Sequence, residues 1–283
     1  MTVLSHVKRG VLAMSVGFVT LCAVLSVPVH AADRDRLEAF LAVTGFDVAL
    51  DSIGLAAGSA PAMLGMQPND FGSDWSDQTR EVFDPVLMQD MALSILEKAL
   101  SDDLLTHAAA FYASDLGQRL VEAENASHMV EDDVAKQSEG AGIVARWQNE
   151  DDPRLDLLQR LNKAIDSADT AVRAVQEIQL RFLMAASNSG VLEGRIDEAT
   201  LRARLKESTP QLRRSLEQSG LAAAAYTYQN FSKEDLAGYL AALEHPDMQK
   251  VYELMNGVQF EIMANRFEAL AAKMADMHPG QEL

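Results

Sequence analysis

Apolar positions along this chain recur at helical spacing almost throughout, and the clearest stretch occurs twice. Ser101 to Asn125 reads SDDLLTHAAAFYASDLGQRLVEAEN, and Ser232 to Asn256 reads SKEDLAGYLAALEHPDMQKVYELMN, alignable without a gap. Ser101 matches Ser232, Leu105 matches Leu236, Gln118 matches Gln249 and Asn125 matches Asn256, while Asp103 meets Glu234 and Arg119 meets Lys250. The pattern predicts two helices meeting at a sharp corner in each copy. Leu105, Ala109 and Tyr112, and then Leu236, Leu240 and Leu243, share one helical face at i, i+4, i+7 spacing. Ser101 and Ser232 stand where an N-cap accepts a bond from an orphaned amide, with Asp102, Asp103, Glu234 and Asp235 at the positive end of the helix. Ser114-Asp115 and His245-Pro246-Asp247 are the two corners. Pro246 suits the first position of a new helix, where its missing N–H costs nothing. His245, aligned with Ser114, is a cap or corner residue. Gln118 and Gln249 either bond to the backbone at the corners or serve as exposed helix formers.

The remaining pattern is also helical, and with no sustained alternation of apolar and polar residues the fold class is all-α. One helix is expected over Arg36 to Leu55, followed by a small-residue turn from Ala56 to Met66. Asn69 to Asp77 reads as a polar loop in which Ser76 or Asp77 caps a helix that runs to Leu100 with a break at Pro85. The second helix of the first corner is expected to run past Asn125 toward Gln137, and Ser138 to Gly142 to weaken the helix. Asn149 to Pro153 is the clearest boundary. Beyond it the spacing predicts a helix from Arg154 to Ser187, a loop over Asn188 to Gly194, and two helices separated by Pro210 between Asp197 and Ser219. The last helix runs from Asp247 to Met274. The organisation expected is a tandem-duplicated helical bundle with pseudo-two-fold related halves, 33–148 and 153–278, as two units or one compact domain.

Composition changes the picture mainly at the N-terminus. His6, Lys8 and Arg9 precede an uncharged run from Gly10 to Val29 and then Val29-His30-Ala31-Ala32, the pattern of a secretory signal peptide occupying residues 1–31. An uncleaved anchor is the alternative, because twenty uncharged residues suffice to span a bilayer. Cys22 is the only cysteine, and Leu21 before it argues against lipid attachment. The mature chain would therefore have no disulfide, thiolate metal site or cysteine nucleophile, a composition suited to a periplasmic or secreted protein. The full chain carries a formal charge of −18, and without Lys8 and Arg9 it keeps 22 basic against 42 acidic residues. Such acidity repels phosphate backbones and anionic membrane surfaces, so nucleic acid is not an expected partner.

Phe111-Tyr112, Ser114 and Gly117-Gln118-Arg119, after an acidic-capped helix, resemble the motif of the bacterial domain-of-unknown-function family numbered twenty fifty-nine. That family's corner reads as an aromatic pair, serine, proline, a variable residue, glycine, glutamine and lysine. Here Asp115 takes the place of the proline and Arg119 that of the lysine. The second copy keeps Pro246, Gln249 and Lys250 but lacks the aromatic pair and the glycine. The resemblance implies a helical fold and a Gram-negative periplasmic location, and it brings no activity with it.

Motifs for nucleophilic elbows, zinc proteases, phosphate loops, calcium loops and dinucleotide binding are absent. His107, His128, His245 and His278 are the histidines of the mature chain, read as solvated or capping residues. Glu131-Asp132-Asp133 and Glu150-Asp151-Asp152 read as solvated acidic segments. Met63/Met66, Met88/Met91 and Met274/Met277 beside His278 place thioethers three residues apart, a pattern that suits Cu(I) but fits core gap-filling better. No catalytic residue, metal site or cofactor is expected. Two functions stand: a non-catalytic interaction or assembly protein of the cell envelope, or a carrier of a small apolar or lipid-like ligand between the halves. A cavity lined by Phe182, Met184, Met255, Phe260 and Met263 would favour the carrier, and a polar cluster at Glu122, Glu124 and His128 would favour an enzyme. The sequence does not set the oligomeric state.

Overall fold

The computed structural model describes residues 33–71, 75–165, 168–192 and 194–277, and the regular elements in them are helical, with no strand. The signal-like segment and His278 lie outside these residues. Among the described residues no single helix is long and apolar enough to cross a membrane.

The N-terminal region is a series of short helices, α1 (Arg34–Thr44), α2 (Phe46–Asp51), α3 (Ile53–Ala56) and α4 (Ala60–Met63), where the sequence suggested one long helix and a turn. Gly45 makes the first break. It ends α1 in the left-handed region at φ 70°, its N–H returning to the Ala42 and Leu41 carbonyls. A Cβ there would also come within 2.3 Å of Asn125 Oδ1, so both backbone angle and packing require glycine. Helix α5 (Trp75–Val82) begins earlier than expected, which puts Ser76 and Asp77 inside its first turn rather than in a capping position. The stretch read as a polar loop holds two buried aromatic anchors, Phe71 and Trp75, with ring centroids 5.3 Å apart. Pro85 opens α6 (Pro85–Ala99) behind Asp84, whose carboxylate accepts from Leu87 N–H at 2.9 Å.

The first corner joins α7 (Asp102–Tyr112) to α8 (Asp115–His128). Ser101 caps α7 and Ser114 caps α8, accepting from Leu104 and Gly117 N–H. Gly117 is the pivot: a Cβ would stand 2.3 Å from the Phe111 carbonyl oxygen and 2.6 Å from Tyr112 Cα. Helix α8 stops at His128, short of the expected Gln137, because Asp132 caps a new helix, α9 (Asp133–Asn149), by accepting from Ala135 N–H at 2.9 Å. Ser138 to Gly142, read as weakening the helix, is fully helical within α9. Gly140 there is a contact, since a Cβ would meet the Ala222 carbonyl oxygen at 2.1 Å.

The boundary at Asn149 to Pro153 separates α9 from α10 (Arg154–Ile165), and α11 (Ala168–Ser189) is a separate helix where one long helix was expected. Helix α12 (Glu198–Thr227) contains Pro210 without ending there, which overturns the expected division. Beside it, Gln176 of α11 donates to the Leu205 carbonyl at 2.6 Å and to Thr209 Oγ1 at 2.9 Å, which ties α11 to the turn that Pro210 disturbs.

The second corner joins α13 (Lys233–Leu243) to α14 (Pro246–Met277). Ser232 and Asp235 form a full capping box, and His245 Nδ1 accepts from Asp247 N–H at 3.3 Å, so the expected cap is present. Helix α14 packs along α11 and against α5, α6, α7, α10 and α13. Its first half buries Val251, Met255, Val258 and Ile262 on one side, and its second half buries Ala264, Phe267, Ala271 and Met274 on the opposite side. A helix buried on both sides runs through a core, and one apolar cluster draws residues from Leu37 to Met274.

Candidate functional site

Four of the five tyrosines join one carboxylate, two directly and two through a chain of phenols. Tyr228 donates to Glu124 Oε1 at 2.6 Å, and Tyr239 donates to the same oxygen at 2.9 Å. Each phenol has one proton, so the remaining bonds acquire a direction: Tyr252 donates to Tyr239 at 2.9 Å, and Tyr112 donates to Tyr252. Helices α7, α8, α13 and α14 and the residue after α12 each contribute one member. Burial raises the Glu124 carboxyl above the ordinary range, and the two phenol donors offset only part of that effect. Burial first, and the Glu124 charge among the further causes, hold all four phenols well above their usual range.

The cluster forms one wall of a cavity of about 400 Å³, in the size range of small-molecule sites. Phe40 and Phe46 from the N-terminal helices, Ala223 and Ala224 from α12, and Val251 and Met255 from α14 give it apolar surface. Asn125, His128, Lys136, Asn162, Asn256 and Gln259 bring polar groups. Asn125 Oδ1 is, among the described residues, the one fully buried side-chain polar atom without a partner, a costly arrangement for a group with nothing to bind. Asn256, aligned with it in the sequence, donates to the Ile165 carbonyl at 2.8 Å. Lys136 is held by the Ser127 carbonyl at 3.3 Å and Asp133 at 3.1 Å. His128 stands at the rim, where the crowding of neighbouring atoms and then Lys136 lower its imidazole pKa.

Three pairs of positions at the spacing of the two aligned stretches line this cavity: Glu124 with Met255, Asn125 with Asn256, and His128 with Gln259. Chemically, the site presents the Glu124 carboxylate beside an apolar wall, while Asn125 Oδ1 is packed against Gly45. Among the described residues no hydrogen bond goes to Glu124 Oε2.

Residues 87–146 match the model of a bacterial family described as an uncharacterized protein conserved in bacteria, DUF2059. The matched stretch runs from α6 through the first corner into α9. It contains Phe111-Tyr112, Ser114 and Gly117-Gln118-Arg119, on which the resemblance rests, and also Glu124, Asn125, His128 and Lys136 of the cavity. No curated protein and no solved structure matches the chain.

The motif residues themselves serve the corners. Phe111 stacks on Tyr239 with centroids 5.9 Å apart, and Tyr112 is buried. Gln118 donates to the Ala113 carbonyl at 3.1 Å, whereas Gln249 is exposed and makes no side-chain bond among the described residues, so the two glutamines differ. Arg119 crosses to the second corner and meets Asp235 at 2.6 Å, while its counterpart Lys250 turns to Asp247 of its own helix at 3.0 Å. Of the polar trio considered from sequence, Glu124 and His128 reach the cavity and Glu122 is exposed. Of the expected ligand lining only Met255 takes part; Phe182 is fully buried in the core. Met88 and Met274 are fully buried too, which places one sulfur of each pair in the packed interior.

Tyr228, Tyr239 and Tyr252 were the residues missed. The available signal was Tyr239 and Tyr252 on otherwise apolar helical stripes, where a buried phenol must find a polar partner.

Proposed function

We propose that this chain is a non-catalytic protein of the bacterial cell envelope that carries a small ligand in the cavity between two copies of one helical corner. The observation carrying this reading is the cavity wall itself: a buried carboxylate fixed by two phenols beside an apolar surface. The ligand has an apolar body and at least one hydrogen-bond donor, which meets Glu124. The duplication is supported by the matching caps of the two corners and by the three equivalent pairs lining the cavity. The location is supported by the signal-like first 31 residues.

Native mass spectrometry of the mature protein, recovered untagged from its host's envelope, tests this. A discrete added mass below about 1 kDa is expected, since a pocket of this class holds molecules of drug size or smaller. Gly220→Phe should abolish that mass without loss of folding: a Cβ at this cavity position meets only Asn162 Nδ2, at 3.6 Å. An unmodified mass for the wild type, with substoichiometric protein partners instead, would overturn the carrier in favour of an interaction protein.

A further inference from the structure

Two histidines 138 positions apart in the chain meet on the outside of the corner junction. His107 lies midway along α7 and His245 caps α14, and their rings stack with centroids 4.3 Å apart and planes at 28°. Asp247 completes the group: one ligand atom from each of the three residues lies within 4.8 Å of the other two. None of the three lines the cavity.

We infer that His107, His245 and Asp247 form a binding site for a divalent transition metal of the zinc type, which clamps α7 to the start of α14. Two imidazoles and a carboxylate suit zinc, copper(II) or nickel and give little affinity for magnesium. In a tetrahedral zinc site with nitrogen and oxygen ligands at about 2.0–2.1 Å, neighbouring ligand atoms stand about 3.3 Å apart. The three groups must therefore draw together by an ångström or so. His245 is exposed and His107 and Asp247 are partly exposed, so rotation of side chains suffices and no helix need move. One oxygen of the carboxylate faces the histidine pair. Lys250 holds Asp247 Oδ1 at 3.0 Å, while Oδ2 is turned toward His245 at 4.0 Å. The bond given up on binding is the 3.3 Å contact from Asp247 N–H to His245 Nδ1, which is long for a hydrogen bond. Water fills the remaining coordination positions. Because the ligands come from α7 and from the second corner, the bound ion ties the two corners together and stabilises the folded form by mass action.

The test uses untagged mature protein, stripped with EDTA and titrated with zinc chloride by calorimetry in the presence of millimolar magnesium. One zinc per chain is expected, with a rise in Tm on zinc addition. His107→Ala should weaken binding at least tenfold, and so should His245→Ser, which keeps a side chain able to cap α14. Absence of zinc binding by the wild type would overturn the inference. So would unchanged affinity in both variants, since the ion would then sit on surface carboxylates of this acidic chain. Should a variant fail to fold, imidazole 15N shifts in the wild type read the same contact. Movement of His107 and His245 with His128 unmoved supports the site, and movement of His128 alone refutes it.

Discussion

Glu124 can be dissected by two uncharged replacements of similar length. Glu124→Gln keeps an oxygen to accept from Tyr228 and Tyr239, whereas Glu124→Met keeps the length and removes the acceptor. With Met, Tyr228 loses the partner it holds at 2.6 Å, while Tyr239 keeps Tyr252 at 2.9 Å. One phenol is thus fully orphaned and one is rearranged. An unpaired buried hydroxyl costs about 1–3 kcal/mol, and water entering the cavity would bring the cost toward about 1 kcal/mol. The Met variant should therefore unfold in urea with a stability about 1–3 kcal/mol below the Gln variant, at every pH. The charge appears in a different comparison, that of wild type with Gln. Burial raises the folded-state pKa of Glu124, so the folded protein holds this proton after the unfolded chain has released it. Wild-type stability then falls relative to the Gln variant as pH rises from the unfolded value, about 4.3, through the folded one. Urea denaturation followed by circular dichroism between pH 4 and 8 measures both effects. Equal stability of Met and Gln, or a flat difference between wild type and Gln across that range, would refute the account of Glu124 as a desolvated carboxyl anchored by phenols.

Three further outcomes are expected. Gly140→Ala should lower stability by about 1–3 kcal/mol or more, because the new Cβ meets backbone of α12 rather than a movable side chain; a Tm within a degree of wild type would contradict the close approach of α9 and α12. Asp235, held at about 2 by Arg119 first and Ser232 second, contributes stability that is present above its unfolded pKa and lost as pH falls through about 2. The gap in Tm between wild type and Arg119→Ala should accordingly be open at pH 6 and closed near pH 2, and a gap unchanged by acid would count against the pairing. Gln118→Ala and Gln249→Ala should each change stability by less than about 0.5 kcal/mol, since both side chains are exposed; a loss above 1 kcal/mol at Gln249 in thermal melts would show a contact absent from this structure.

What could be read locally was read well. Ser101, Ser114 and Ser232 cap their helices because the bond runs to an amide three residues away, inside the same short stretch. Pro85 and Pro246 open helices for the same local reason. Errors came where a residue answers to a distant neighbour. Gly140 looked like a weak point and is where α12 touches α9; Pro210 looked like a break and sits in a continuous helix with Gln176 of α11 bonded beside it. Asp132 is the local exception: it looked like part of a helix face and caps the next helix through an amide three residues on.

By itself, then, the sequence determined the all-helical class, the serine caps, the helix openings at Pro85 and Pro246 and the acidic composition, since each follows from spacing or composition within a few turns. Only the tertiary structure decided that Tyr112, Tyr228, Tyr239 and Tyr252 converge on Glu124, and that His107 faces His245 and Asp247. These groups are separated by up to 140 positions, and their meeting depends on how α7, α8, α13 and α14 cross. Helical periodicity says which face of each helix is buried, but the crossing that brings two faces together is set by packing across the whole core.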